Sequence, residues 1–358
     1  MNTYDTGFDF GNGEATVTLF DLHGQLQSLT VPSVTAEGTL SGLQEIRGAS
    51  GAHDHPYKLY DDDYILSFDG EDKHIGRLAL VYSSDPHETR NDINRYWSKT
   101  SLEFLLTLSG SLIFDREFTL NVVTGLPAET YSTLNKRQVK EALEGDRAFW
   151  LNGTSRMAHI KVAKVVQEGA GGIVLYGTKE PVKQAIIDIG ERTTDIFTAR
   201  GQEPIADQCK GRDKGVANAA ELLNTLVYTA CARELTIDER RRILRAHVSF
   251  QPYPDIPVAG RSLTDEELRP WAETALRKTG KFIRDFTSKV LKSDEKGHVA
   301  ADLKSVILIG GGAYYFLQDI QERIPFAKMG ENPEYANSRS YAHFARRFAV
   351  IAQSRVSA

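Results

Sequence analysis

The chain has only two cysteines, Cys209 and Cys231, in 358 residues, too far apart for a CxxC motif. A disulfide framework is therefore not expected, and a reducing cytoplasm is the compartment the sequence suggests. No apolar run approaches the ~20 residues that cross a bilayer. Met1-Asn2-Thr3-Tyr4-Asp5 has neither the basic nor the apolar stretch of a signal peptide. No positive surplus exists either. The formal net charge is −5, so neither an anionic membrane nor nucleic acid is an expected direct partner. What remains, 41% hydrophobic and 25% charged residues, is the composition of a globular chain long enough for two domains.

Strands alternate with helices along the chain, which implies an α/β class. Glu117–Thr124 alternates and stops at Gly125-Leu126-Pro127, as a strand ending at a Gly/Pro break. Ala158–Val166 is a second strand, running into Gln167, with a helix across Ile173–Tyr176. Leu102-Glu103-Phe104-Leu105-Leu106 reads as a buried helix, and Gly215–Thr229 as another. Thr236-Ile237-Asp238-Glu239 and Thr264-Asp265-Glu266-Glu267 have the spacing of capping boxes. The second opens a long helix with Trp271, Leu276, Ile283, Phe286 and Val290 on one face. Ser305–Ile309 is apolar without alternation, as an inner strand covered on both faces should be. Residues 30–75, rich in Gly, Ser, Asp and His, show no period and are expected to be irregular.

One pattern occurs twice. Phe8-Asp9-Phe10-Gly11-Asn12-Gly13 leads into Ala15–Phe20, and Ile187-Asp188-Ile189-Gly190-Glu191-Arg192-Thr193-Thr194 leads into Asp195–Thr198. In each, an apolar strand enters Asp-x-Gly, turns and returns as a β-branched or aromatic strand. Two such hairpins facing each other can close backbone N–H groups around a polyphosphate, because only small residues let the backbone come so close. Gly11, Gly13 and Gly190 supply that access, Gly215 opens the helix that follows, and Asn12, Thr193 and Thr194 add side-chain donors. Mg²⁺ keeps several waters and needs nearby carboxylates to hold them; Asp9 and Asp188 suit that role. Phosphoryl transfer to water needs a group that orients the attacking water, for which Gln167 is the candidate. Gly310-Gly311-Gly312, after an apolar strand, offers a turn without side chains on which a base and ribose can lie.

The order of these parts resembles the actin, sugar kinase and heat-shock chaperone superfamily of ATPases. Within it, Asp9–Gly13, Val123-Thr124-Gly125-Leu126-Pro127, Asp188–Asp195, Val306–Ala313 and the closing segment Glu331–Arg339 resemble plasmid-segregation actins of the ParM/StbA type. The resemblance implies an actin-like fold of two domains, residues 1–170 with 336–358 and residues 171–335. Each would be a mixed sheet flanked by helices, with ATP or ADP and Mg²⁺ in the cleft between. It further implies head-to-tail polymerisation into a filament, and an adaptor DNA-binding protein at a plasmid centromere. Gln167 falls where actins have their water-positioning glutamine. One departure stands out: Thr16 occupies the position, seven residues after Asp9, where actin and many relatives carry a phosphate-contacting lysine.

Three alternatives compete. A sugar-kinase-like enzyme of the same fold would need a kinase-type Asp motif, which is not found. A chaperone would carry a peptide-binding β-domain after the ATPase. A cytoskeletal role other than plasmid segregation is not separable by sequence. His53-Asp54-His55 reads as a solvated loop rather than a metal site. Glu239–Arg245 reads as a solvated basic face, or else as a filament or adaptor contact. Asp195 is expected to support its hairpin, Trp97 and Trp271 to be core or interface aromatics, and the two cysteines to be small buried hydrophobes.

Overall fold

The computed structural model describes residues 1–50, 59–89, 92, 94–293 and 295–356. His53-Asp54-His55 lies outside them. The strands are β1 (Asn2–Phe10), β2 (Glu14–Phe20), β3 (Leu26–Pro32), β4 (Val34–Glu37), β5 (Tyr64–Phe68), β6 (Glu71–Ile75), β7 (His87–Glu88), β8 (Glu117–Leu126), β9 (Gly145–Leu151), β10 (Thr154–Gln167), β11 (Lys183–Ile189), β12 (Thr194–Arg200), β13 (Glu203–Pro204), β14 (Lys210–Arg212), β15 (Pro257–Val258), β16 (Arg261–Ser262), β17 (Ser305–Ile309) and β18 (Lys328–Met329). The helices are α1 (Leu40–Ser50), α2 (Arg77–Tyr82), α3 (Lys99–Leu112), α4 (Thr133–Leu143), α5 (Ala170–Tyr176), α6 (Val216–Cys231), α7 (Ile237–Val248), α8 (Asp265–Leu291), α9 (Ala313–Gln321) and α10 (Ala336–Val356).

The chain divides into two compact units. The first comprises Met1–Leu126, Thr130–Gln167 and Asn337–Ala358; the second comprises Pro127–Glu129 and Glu168–Ala336. In the first unit ten strands form one sheet in the order β3-β2-β1-β8-β10-β9-β5-β6-β4-β7. At its centre β1, β8 and β10 run parallel, with Phe8 beside Thr124 and Gln167 beside Leu126. Phe8, Phe104, Phe118 and Phe149 are the bulkiest fully buried side chains of its main core cluster.

The segment expected to be irregular, 30–75, is instead largely ordered into β4, α1 and the β5–β6 hairpin among the described residues. Its strands are short, and β6 carries Glu71, Asp72 and Lys73 in succession. Lys73 reaches Glu103 of α3 at 2.7 Å and Lys99 reaches Asp69 and Glu71, so the hairpin is held by ion pairs that leave no apolar period to read.

Helix α10 packs on this sheet through glycine. A Cβ on Gly7 would lie 1.9 Å from the Ser338 carbonyl oxygen, and one on Gly125 would lie 2.1 Å from the Tyr341 hydroxyl. Gly125 is therefore no strand breaker. β8 runs on to Leu126, and the missing side chain makes room for a buried tyrosine. Asn121 completes the join, donating to Asp5 at 2.8 Å and to the Ala345 carbonyl at 2.9 Å.

On the same sheet, His159 of β10 sits between Asp146 of β9 (2.7 Å) and Glu117 of β8 (3.1 Å). The bonds to Asp146 and then Glu117 hold its pKa above the ordinary value of 6.5. The folded state thus favours the protonated ring. This small contribution is fully present below about 6.5 and is lost as pH rises through the higher folded value. An NMR titration of the His159 ring should give a midpoint above 6.5 that falls in Asp146→Asn; an unshifted midpoint in that variant would contradict the bridge.

In the second unit the sheet order is β13-β12-β11-β17-β18, with β14 also pairing β12. Every residue of β11 is buried, and β17 lies between β11 and β18, parallel to both. The unalternating apolar run of β17 has this cause. α6, α7, α8 and α9 cover one face through Leu223, Ile243, Leu268 and Phe316. The Thr236 capping box forms in both directions, with Glu239 N–H donating to Thr236 Oγ1 at 3.2 Å and Thr236 N–H donating to Glu239 Oε2 at 2.8 Å. Glu267 likewise accepts from the Thr264 N–H at 2.9 Å. Trp97 and Trp271 each pack, partly exposed, against their unit's core. Cys209 and Cys231 are free and half-buried rather than fully buried.

Candidate functional site

In the first unit, β1 and β2 form the first hairpin, with Asp9 opposite Thr16 and Phe10 opposite Ala15. The turn is clamped by a residue that no motif marks. Ser33 donates its hydroxyl to the Gly11 carbonyl at 2.8 Å and its N–H to the Gly13 carbonyl at 3.0 Å. Thr89 in turn donates both N–H and hydroxyl to the Ser33 carbonyl, each at 3.1 Å. Both residues are buried. These bonds engage the carbonyl side of the turn and so fix its peptides. Thr16 is buried with its hydroxyl 2.8 Å from that of Thr30, so the position where relatives carry lysine is here a cross-strand pair. Asp9 and Gln167 stand at the carboxyl ends of parallel strands, the edge where open α/β sheets hold ligands. The Gln167 amide nitrogen is buried and has no hydrogen-bond partner among the described residues.

In the second unit the expected residues converge. Asp188, next to last in β11, lies opposite Asp195 of β12. The turn closes with the Gly190 N–H on the Thr193 carbonyl at 2.8 Å. The start of α6 is bolted to this turn: Val216 N–H donates to the Gly190 carbonyl, Ala217 N–H to the Glu191 carbonyl at 2.8 Å, and Gly215 N–H to Asn218 Oδ1 at 3.0 Å. A Cβ on Gly215 would sit 2.4 Å from the Gly190 carbonyl, so this glycine lets helix and turn meet. From the far side, Gly312 N–H donates to the Ile189 carbonyl at 2.8 Å and Gly310 N–H to the Pro333 carbonyl at 2.8 Å. Gly310 has φ +78°, and a Cβ there would lie 2.4 Å from the Ile189 carbonyl and 2.5 Å from an Asp188 carboxylate oxygen. Asp188, Gly190, Gly215, Gly310 and Gly312 thus form one contiguous group.

The glycines differ in what they serve. Gly310, Gly312 and Gly215 are demanded by protein contacts. Gly311 has nothing within 4 Å of a Cβ, and Gly190 only ordinary contacts at 3.6 Å and 3.7 Å, with no positive φ. Protein packing therefore does not explain glycine at 190. Gly190→Ala should leave stability within about 1 kcal/mol yet weaken binding of a nucleotide triphosphate by tenfold or more. Thermal melts with and without ATP-Mg²⁺ check this, and an undiminished ATP-induced shift would remove Gly190 from the site.

The threonines are less available than the sequence suggested. Thr194 is buried and donates its hydroxyl to the Lys214 carbonyl at 2.8 Å. The Thr193 hydroxyl lies by the Asp195 carboxyl and favours its charged form. Asp195 is itself almost wholly buried. Burial, with the charge of Asp188 adding to it, pushes its pKa up to about 7. The basic turn of α7 is more than a solvated face: Arg241 pairs with Glu191 of the turn at 3.0 Å, and Arg245 lies by the Tyr315 hydroxyl. Arg242, by contrast, pairs within its own helix with Asp238 at 3.6 Å. Among the described residues no cluster of three His, Cys, Asp or Glu side chains could hold a metal directly.

Residues 7–171 match the sequence family described as the N-terminal domain of actin-like proteins. No curated protein matches the chain. Among solved structures, ParM from a 15-stranded Clostridium botulinum filament aligns with a TM-score of 0.77 at 19% identity, over 97% of this chain and 100% of that one. An archaeal actin homologue aligns at 0.73 and 19% identity, over 97% and 100%. Bacillus thuringiensis ParM with ATP aligns at 0.67 and 17% identity, over 98% and 100%. The likeness to these structures shows that the chain has the actin-like fold.

Proposed function

We propose that this protein is a nucleotide-dependent, filament-forming ATPase that drives plasmid DNA segregation in the cytoplasm through an adaptor DNA-binding protein. The observation that carries the reading is the pair of acidic turns. Each ends a strand of its unit's sheet and each is braced from behind, by Ser33 in one case and by α6 and Gly312 in the other. Both turns would serve one nucleotide. Asp9 and Asp188 would hold the waters of its Mg²⁺, which neutralises charge on the phosphates. The peptides of Gly11–Gly13 and Gly190 would face the phosphates, and Gly311 would leave room for the base and ribose. Gln167 would orient the attacking water, and its buried amide nitrogen, unpartnered among the described residues, suits a group kept for a ligand.

The structural neighbours support each half of this reading without transferring it. One is described with ADP, others with ATP or AMPPNP, and one is a filament. A filament needs a heterologous contact that does not close on itself. Light scattering after addition of ATP-Mg²⁺ tests the proposal: scattering should rise after ATP-Mg²⁺ and decay as ATP is consumed. A protein that binds ATP but scatters no more than its unliganded form would refute the filament.

A further inference from the structure

Asp195 occupies a position that the hydrolysis chemistry does not require. It is buried to 1% exposure, and its Cα partner across the β11–β12 ladder is Asp188. Burying a carboxylate beside another carboxylate is costly. Besides the Thr193 hydroxyl within the hairpin, a larger compensation comes from outside it: Asp195 Oδ1 accepts the Ala128 N–H at 2.8 Å. Ala128 lies in Pro127–Glu129, three residues that belong to the second unit although the chain before and after them belongs to the first. The packing is shaped for this bond. A Cβ on Gly211 of β14 would lie 2.6 Å from Asp195 Oδ1 and 3.4 Å from Ala128 Cβ, so only glycine lets strand, carboxylate and crossing segment share the space. Other charges face the carboxylate besides Asp188: Glu129 is close enough to repel it, and Arg212 lies 3.8 Å from Glu129.

We propose that Asp195 is a positioning residue that ties the second turn to the crossing segment, so that a nucleotide bound at the turn is felt by the backbone of Pro127–Glu129. This rests on the nucleotide reading above. A cation drawn to Asp188 relieves the repulsion between the two carboxylates. The charge-assisted bond from Ala128 to Asp195 then strengthens. The crossing segment is tightened by binding and loosened by release, with no residue of the segment touching the ligand.

Hydrogen exchange of the Ala128 amide, measured with and without ATP-Mg²⁺, tests this. In the wild type, ATP-Mg²⁺ should slow exchange by about tenfold. Asp195→Ala should still show an ATP-induced thermal shift, but its Ala128 amide should exchange fast and not respond. Asp195→Asn, which keeps an acceptor without the charge, should retain slow basal exchange with a diminished response, and it serves if the alanine variant does not fold. An ATP-induced thermal shift with an unresponsive Ala128 in the wild type overturns the proposal alone, as does an undiminished response in either variant. Absence of any ATP-induced shift in the wild type overturns the nucleotide reading itself.

Discussion

Asp188→Ala is expected to abolish ATP hydrolysis while leaving the fold intact. Two acidic residues, Asp188 and Asp195, face each other across neighbouring strands, and both are buried. Removing one relieves like-charge repulsion in a site of low dielectric, so the folded state loses little. The reaction loses the carboxylate proposed to hold the magnesium waters. Removal of one preorganised electrostatic group of this kind costs about 10²–10³ in turnover, which would put hydrolysis near background. Phosphate release and circular dichroism on the same preparation separate the two effects. Wild-type turnover in Asp188→Ala would show that the metal site is elsewhere; an unfolded variant would show that the carboxylate is structural.

The second large effect is on stability. Gly7→Ala places a methyl carbon 1.9 Å from the Ser338 carbonyl oxygen and 2.5 Å from the Ala342 nitrogen. Both are backbone atoms of α10 and cannot swing aside as a side chain could. Either the helix shifts, giving up the Thr18–Ser338 and Asn121–Ala345 bonds, or β1 bends away from it. The expected loss is about 3 kcal/mol or more, at the upper end for overpacking. Denaturant unfolding should show it as a lower midpoint. A loss under about 0.5 kcal/mol, the range of an ordinary surface change, would mean that α10 does not rest on Gly7 in solution.

Much of this architecture was legible in the sequence, for physical reasons that can be named. The β17 run Val306–Ile309 is apolar on both faces because strands and helices enclose it, and Thr236 with Glu239 signals a helix start because those side chains satisfy orphan amides. The repeated Asp-x-Gly turns marked the group that Asp188, Gly190, Gly310 and Gly312 form. What escaped was whatever depends on long-range contact. Ser33 follows Pro32 in no motif, yet its bonds to Gly11 and Gly13 fix the first turn. Arg241 looked like one charge of a solvated run, and only the packing of α7 brings it to Glu191. Gly125 looked like a stop signal, although its role is to admit Tyr341. Periodicity reports local geometry and burial, and is silent about which distant backbone fills the space a glycine leaves.

The central claim is that the turns carrying Asp9 and Asp188 hold the same nucleotide. Calorimetric titration of ATP-Mg²⁺ into the wild type, Asp9→Asn and Asp188→Asn tests it most directly. One molecule of ATP bound per chain, with affinity lost in both variants, is the predicted result. Wild-type affinity in either variant, or two independent sites of which each variant removes one, would contradict it.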